Sequence, residues 1–390
     1  MAKLPTIEPD DLPSALLRVA AHVIQEAAPE KPADALLRHE LKARKVTRAD
    51  ARDISKLVFD YYRWYGWLQH LHSLYPRIKL AKQLAKKFEE RPESFTAESL
   101  QHNSVPAWIK EVMNVTPEWA KALQSPPDIW LRSRLGQDQS LREKLGVFED
   151  FTVPGLPEAI RYDGDADLFR STEFHAGEFE LQDIASQMVG AFCAPKPGET
   201  WWDTCAGEGG KTLHLSDLLH NRGLIWATDR ADWRLKKLKM RASRAKAFNY
   251  RTALWDGSGK LPTKTKFDGI LIDAPCSGIG TWQRNPHARW TTTQKDVTEL
   301  AMVQKQLLEH VAASVKPGGK LVYSVCTLSL PETSDVANVF TEAHPEFEPI
   351  AAPAHLTESL ESSEPGQYWV WPQTLGGNGM FIAGWKRRKA

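Results

Sequence analysis

The sequence of 390 residues has little of what marks a membrane, secreted or metal-bound protein. No apolar run approaches the roughly 18 residues that a bilayer span requires. Met1–Pro5 leads into polar sequence without the apolar core of a signal peptide, so the expected location is the cytoplasm, with no membrane partner. Only four cysteines occur, Cys193, Cys205, Cys276 and Cys326, and none forms a C-x-x-C pair. That spacing argues against a zinc site and against a disulfide framework, and in a reducing compartment it leaves thiols free for chemistry. Surplus charge is missing as well: 50 basic against 49 acidic side chains give a net charge of +1, so total charge is no argument for a nucleic-acid partner. No internal repeat or low-complexity tract is visible.

What is present reads as a globular protein of more than one domain. Hydrophobic content is 42% and charged content 25%, ordinary values for such a chain, and its length exceeds what one core usually supports. From Leu12, the apolar positions Leu16, Val19, Val23 and Ile24 recur at helical spacing. After a Pro29–Pro32 break the pattern resumes at Leu36, Leu37 and Leu41, and again at Ile54, Leu57, Val58 and Tyr61, running into Tyr62, Trp64, Tyr65 and Trp67. This predicts an all-α bundle over residues 1–125, with the aromatics as its core rather than a base-stacking platform. Val105–Trp108 and Pro126-Pro127 read as linkers. Strands at Ile129–Arg134 and Ala159–Tyr162 around a short helix at Ser140–Leu145 predict a small α+β subdomain over residues 126–176.

From Gly177 strands alternate with helices, which predicts βαβ units and a parallel sheet over residues 177–390. The strands fall at Glu199–Asp203, Ile225–Asp229, Thr252–Asp256, Phe267–Asp273 and Lys320–Cys326, with a closing strand at Met380–Trp385. A long helix is expected over Thr293–Val315, stopped by Pro317-Gly318-Gly319. Cys276 and Cys326 then both follow strand ends, at the edge where open α/β sheets hold ligands. Either is a buried small residue or a reactive thiol; two such strand ends suggest thiols sharing one cleft. Arg230, Arg234, Lys236, Lys237, Lys239, Arg241, Arg244 and Lys246 crowd one predicted helix, and Arg77, Lys79, Lys82, Lys86, Lys87 and Arg91 another. These are solvated faces or two strips that follow a phosphate backbone.

The turn Cys205-Ala206-Gly207-Glu208-Gly209-Gly210-Lys211 has the features of a nucleoside-cofactor site. Glycines admit close backbone approach, a helix N-terminus favours a carboxylate, and Asp229 at the end of the next strand suits ribose hydroxyls. Both the dinucleotide spacing G-x-G-x-x-G and the phosphate loop with its four-residue gap are absent from it. S-adenosyl-L-methionine fits better, having a ribose and a carboxylate but no phosphate, and Asp256 then faces the adenine edge.

Asp203-x-Cys205-Ala206-Gly207-x-Gly209-Gly210-Lys211-Thr212, Asp273-Ala274-Pro275-Cys276-Ser277-Gly278-x-Gly280 with Arg284-x-Pro286 and Arg289-Trp290, and Tyr323-Ser324-x-Cys326 with Pro331-Glu332 resemble the signature motifs of the RsmB/NOP family of RNA cytosine-5 methyltransferases. Gly177-x-Phe179-x-x-Gln182-Asp183 with Ser186-Gln187 resembles the stretch that precedes the family's catalytic domain. The resemblance runs from about Pro126 to the C-terminus. It implies a Rossmann-like class I methyltransferase domain, dependent on S-adenosyl-L-methionine, behind the α+β subdomain and a bundle similar in type to the NusB-like domain of the bacterial 16S rRNA member.

The implied reaction adds a thiolate to C6 of cytosine, because C5 is a poor nucleophile until something does. The resemblance gives that addition to Cys326, the release step to Cys276, and the N3 and amino edge of the base to Asp273, which also belongs to the cofactor set Cys205–Lys211, Asp229 and Asp256. The implied substrate is RNA, rRNA first, with the target single-stranded or flipped out, since C6 is unreachable inside a stack. A tRNA substrate and a non-catalytic RNA-binding assembly factor are the alternatives. Three residues depart from the family pattern. Glu208 adds negative charge near the cofactor, Gln283 stands where a second arginine is usual and so removes an expected phosphate or substrate contact, and Thr333 replaces an asparagine.

Overall fold

The computed structural model describes residues 14–147 and 151–389, so Met1–Pro5 and Leu12 lie outside the described residues. Two compact units are present: Met1–Pro126 with Thr281–Gln294, and Pro127–Gly280 with Lys295–Ala390.

The first unit is helical, with Ser14–Glu26, Ala33–Arg44, Arg48–Arg63, Leu74–Glu90, Ala97–Asn103 and Pro117–Ala122 as its helices. Threonines start three of them: Thr47, Thr96 and Thr116 accept the N–H of Asp50, Ser99 and Trp119 at 3.1, 3.2 and 3.2 Å, satisfying donors that the first turn leaves open. The aromatics are core, as their spacing predicts. Trp64 is fully buried, with ring centroids of Trp67, Phe95 and Phe88 at 4.8, 5.1 and 5.5 Å. On Leu74–Glu90 the residues Ile78, Leu80, Ala81, Leu84, Ala85 and Phe88 are buried; of the basic ones Lys86 is exposed, while Arg77 is half-buried and donates to Leu71 O at 2.7 Å. Val105–Trp108 is no linker: Val105 and Ile109 are buried and Ala107–Glu111 forms a 3-10 turn.

Thr281–Gln294 belongs to this helical unit, so Arg289-Trp290 of the motif, and Gln283 where a second arginine is usual, lie within it. The Arg289 guanidinium is fully buried and, among the described residues, has no carboxylate as its hydrogen-bond partner. It donates instead to the carbonyls of Arg63, Ser104, Leu123 and Trp282 at 3.2, 3.0, 2.8 and 3.3 Å. The first three end the helices Arg48–Arg63, Ala97–Asn103 and Pro117–Ala122. Helix C-termini carry unpaired carbonyls and a partial negative charge, so one cation closes three helices. Trp290 Nε1 donates to Tyr62 O at 2.7 Å, and Gln283, nearly buried, donates to Pro126 O at 3.4 Å.

The second unit holds two sheets. In the smaller, β1 (Ile129–Ser133) lies between β2 (Ala159–Tyr162) and β3 (Phe179–Leu181), all antiparallel, over a core that includes Leu131, Leu141, Ile160 and Phe179. The sheet thus extends past Gly177. Gln182, Asp183 and Gln187 are structural: Gln182 accepts from Arg132 at 2.6 Å, Gln187 donates to Leu131 O at 3.1 Å, and Asp183 accepts from Ala185 N at 3.0 Å, capping helix Ile184–Cys193.

Among the described residues the larger sheet has nine strands: β4 (Thr200–Asp203), β5 (Leu224–Asp229), β6 (Tyr250–Leu254), β7 (Phe267–Asp273), β8 (Val315–Val325), β9 (Phe347–Pro349), β10 (Glu361–Glu364), β11 (Gln367–Val370) and β12 (Met380–Arg387). Its order is β10-β11-β12-β8-β7-β4-β5-β6, with β9 also on β12. The strands from β8 to β6 pair in parallel, and those from β12 outward are antiparallel. Two boundaries differ from expectation. The long helix is Gln294–Ala312, and Pro317–Gly319 lies inside β8, where the pairing with β7 is irregular between Phe267 and Gly269. The third strand, β6, ends at Leu254, leaving Asp256 on the loop beyond it. Among the described residues no helix is long and apolar enough to cross a membrane.

Candidate active site

The carboxyl ends of β4, β5, β7 and β8 surround a cavity of about 540 Å³. Its walls contain Cys205, Ala206, Gly207, Glu208, Gly210, Lys211, Asp229, Asp256, Asp273, Cys276 and Cys326, so the fold brings together the candidate catalytic and cofactor residues of the sequence, Gly209 excepted. Gly209 shapes the turn from behind: its φ is +90°, and a Cβ there would meet Leu238 Cγ at 2.7 Å. At Gly207 and Gly210 a Cβ would meet nothing within 4 Å, so the bare backbone there faces open space. Sequence reasoning missed part of the wall. Trp255, Val303 and Leu307 line it too, and only the spacing of the last two on one helix face gave any signal.

The acids at the strand ends are held differently. Asp229 Oδ2 accepts from Gly207 N at 3.0 Å and Oδ1 from Ala231 N at 2.8 Å, which fixes its carboxylate across the glycine turn. Asp256 is exposed, and the hydroxyl and N–H of Ser258 draw its carboxyl below the usual range. Asp273 Oδ1 accepts from Ser324 Oγ at 2.9 Å and Oδ2 from Lys211 Nζ at 2.7 Å. Burial alone would lower Lys211, but Asp273, with smaller help from Cys326 and Asp203, outweighs it and holds the ammonium charged. Lys211 therefore serves Asp273 directly.

Asp203 is buried, accepts from Thr212 Oγ1 at 2.6 Å, and its Oδ1 has no partner among the described residues. Burial pushes it up to about 7, against the pull of the Thr212 hydroxyl and with Asp273 adding repulsion. A folded-state value raised above the unfolded one means that the native protein binds the extra proton. The resulting stability is full below about pH 4 and is lost as pH rises toward 7, with a slope of at most about 1.4 kcal/mol per pH unit. Asp203→Asn is expected to flatten this part of the profile. Thermal unfolding of the cofactor-free protein between pH 4 and 8 checks it; equal slopes for the two proteins would refute the assignment.

Cys276 Sγ and Cys326 Sγ are 3.3 Å apart. The hydrogen bond to Cys326, burial, and the charges of Cys326 and Glu332 push the Cys276 thiol well up. Cys276 therefore holds its proton more firmly than a free thiol. Cys205 is a different case: burial pushes it up to about 12, and it stays a neutral wall residue. Cys193, buried on its helix, lies outside the cavity.

Two departures from the family pattern resolve here. The Glu208 carboxylate pairs with Lys237 Nζ at 2.7 Å, so its charge is offset at the rim. Thr333 is buried and donates to Ser329 O at 2.7 Å, a local turn contact. The basic helix Asp232–Ala245 is only partly open to a ligand. Arg241 and Arg244 donate to the buried Glu180 at 2.9 and 2.8 Å and tie the helix to β3, while Arg230 and Arg234 line the cavity.

The family model described as 16S rRNA methyltransferase RsmB/F matches residues 191–386. A Synechocystis protein named probable ribosomal RNA small subunit methyltransferase B is 34% identical over 307 residues, 73% of this chain and 67% of its own length. Among solved structures, PH0851 superposes with a TM-score of 0.79 over 97% of this chain and 100% of its own at 22% identity, a likeness of fold. A methyltransferase homolog from Pyrococcus horikoshii gives 0.57 over 70% of this chain and 90% of its own, at 27% identity.

Proposed function

The chain belongs to the 16S rRNA methyltransferase RsmB/F family, and from that premise we propose that it methylates C5 of a cytosine in rRNA through a transient bond between Cys326 Sγ and C6. The observation that carries this reading is the 3.3 Å approach of the two thiols in a cavity lined by the glycine turn. A non-catalytic assembly factor would have no use for that arrangement, and ribosomal RNA is the substrate named for the relatives rather than tRNA.

The cavity fits S-adenosyl-L-methionine. Asp229 is fixed for ribose hydroxyls, Gly207 and Gly210 leave their backbone bare, and the unpartnered Asp203 Oδ1 awaits a donor. Asp203, Asp229, Asp256 and Asp273 give the walls an acidic cast suited to a cationic ligand. When bound, S-adenosyl-L-methionine supplies an electrophilic methyl group on its sulfonium.

The chain's own residues do the rest. The Cys326 thiolate adds to C6, and the electron pair displaced from the C5–C6 double bond makes C5 nucleophilic. Asp273, steadied by Ser324 and Lys211, accepts from the amino group of the base, and the nearby Lys211 ammonium offsets the negative charge that develops toward N3 on addition. Once C5 carries the methyl group, its proton passes to a solvent water, the C5–H electron pair restores the double bond, and the S–C6 pair leaves with the Cys326 sulfur. A Cys276 thiol that donates to Cys326 Sγ stabilises the departing thiolate. The base must leave its stack to reach the sulfur, so the substrate cytosine is single-stranded or flipped out.

Bisulfite sequencing of rRNA from cells that lack the protein tests the reading. One small-subunit cytosine is expected to lose its protection and to regain it when the wild-type chain is supplied. Unchanged protection across all rRNA would overturn the substrate.

A further inference from the structure

Glu332 ends the short turn Leu330–Glu332 beyond β8 and is fully buried. Its carboxylate receives five hydrogen bonds, all from neutral donors: Ser277 N at 2.8 Å, Ser277 Oγ at 2.5 Å, Gln304 Nε2 at 3.1 Å, Thr327 Oγ1 at 3.1 Å and Ser329 Oγ at 2.8 Å. Ser277 follows Cys276 and Thr327 follows Cys326. Their hydroxyls also touch each other at 3.0 Å. Gln304, which reaches Glu332 from helix Gln294–Ala312, donates at 2.9 Å to Pro275 O, the carbonyl just before Cys276. Tyr323 OH donates at 2.7 Å to the main-chain carbonyl of Glu332, which ties the turn back to β8.

We propose that Glu332 is a positioning residue for the reaction: its carboxylate fastens the loop after Cys276 to the loop after Cys326 and so sets the register of the two sulfurs. No part of Glu332 lines the cavity, so it acts through its neighbours. Five donors converge on the roughly four lone-pair sites of a carboxylate. A neutral amide would offer one oxygen and turn its NH₂ toward donors, so at least one loop loses its hold. The charge itself has a second effect. After the hydrogen bond to Cys326, burial and the charge of Cys326, Glu332 adds to the forces that keep the Cys276 thiol protonated. The clamp thereby helps to decide which sulfur is the nucleophile. The inference rests on the methyltransferase reading for its kinetic consequence, and on geometry alone for its effect on the thiols.

Glu332→Gln in the full chain tests it, with two readouts. Without RNA, brief alkylation by iodoacetamide and peptide mass spectrometry give the ratio of Cys326 to Cys276 labelling. That ratio is expected to fall about tenfold, the effect of one unit of relative acidity. With RNA and S-adenosyl-L-methionine, kcat is expected to fall about 100-fold, the scale of a reacting group misplaced by an ångström. KM for RNA and the cofactor Kd should stay within about threefold, because neither ligand site includes the carboxylate. Glu332→Asp, which keeps the charge on a shorter stem, should restore the labelling ratio and only part of kcat. Ser277→Ala and Thr327→Val each remove one arm and should give smaller losses of kcat, and they carry the test if Glu332→Gln does not fold. A folded Glu332→Gln protein with wild-type ratio and kcat, or two arm variants both as fast as wild type, would overturn the proposal. A shifted ratio in a protein whose wild-type form methylates no rRNA would instead uphold the clamp and sink the function.

Discussion

Cys326→Ala is expected to abolish methyl transfer, and Cys276→Ala to trap the protein on its RNA. Loss of a covalent nucleophile removes the route by which C5 becomes reactive, so the rate should fall by roughly 10⁴-fold or more. Cys276→Ala leaves Cys326 free to add and removes the thiol that donates to its sulfur across 3.3 Å, so addition proceeds and release stalls. With fluorescent RNA and S-adenosyl-L-methionine, the Cys276→Ala protein should run as a denaturation-resistant adduct on a gel, and the Cys276→Ala, Cys326→Ala double variant should not. An adduct that survived in the double variant would move the nucleophile elsewhere. Residual methylation by Cys326→Ala at wild-type rate would refute the covalent route altogether. The two outcomes differ because the Cys276 thiol is held to its proton by Cys326, burial and Glu332.

The sheet that carries these thiols was legible where its strands are buried on both faces. β4, β5 and β7 are short apolar runs bounded by turn residues, and β7 was located to the residue at Phe267–Asp273. Of the antiparallel flank only β12 was legible, as the closing strand expected at Met380–Trp385; β9, β10 and β11 were not. Glu361–Glu364 reads as a charged loop and pairs only because β11 lies beside it, and the burial of Gln367–Val370 depends on β12. Pro317–Gly319 shows the opposite failure. Its residues signal a stop, yet β8 runs through them because the neighbouring β7 supplies a partner on either side of an irregular pairing. In the cavity, the acids and thiols could be placed because each follows a strand, whereas Lys211's engagement with Asp273 spans 62 positions and no local pattern contains it. Nor could the clamp on Glu332 be foreseen, since its donors come from three segments that only the fold assembles.

Arg289 is the hardest residue to read from sequence, and its replacement should cost the helical unit more stability than any exposed substitution. An arginine in a motif next to two thiols invites a ligand-binding role, yet Arg289 donates to carbonyls that end three helices whose last residues are Arg63, Asn103 and Ala122. Burial pushes its pKa well down, and nearby Arg63 adds to that. The charge is tolerable because helix ends supply partial negative charge where a carboxylate is absent. In Arg289→Met these carbonyls lose their donor inside the protein. Each stranded group costs about 1–3 kcal/mol, and removal of a buried charge offsets part of the sum, so a net loss of about 3 kcal/mol is expected. Amide exchange in Arg48–Arg63 and Ala97–Asn103 should then quicken about 100-fold, at 1.4 kcal/mol per factor of ten. Arg289→Lys should recover little, since a single ammonium cannot reproduce the planar fork that reaches four carbonyls. The exposed Arg284 supplies the contrast, and its alanine variant should shift exchange by less than threefold, about 0.6 kcal/mol. Wild-type exchange in Arg289→Met, together with lost methyl transfer, would return this arginine to the chemistry and refute the capping role.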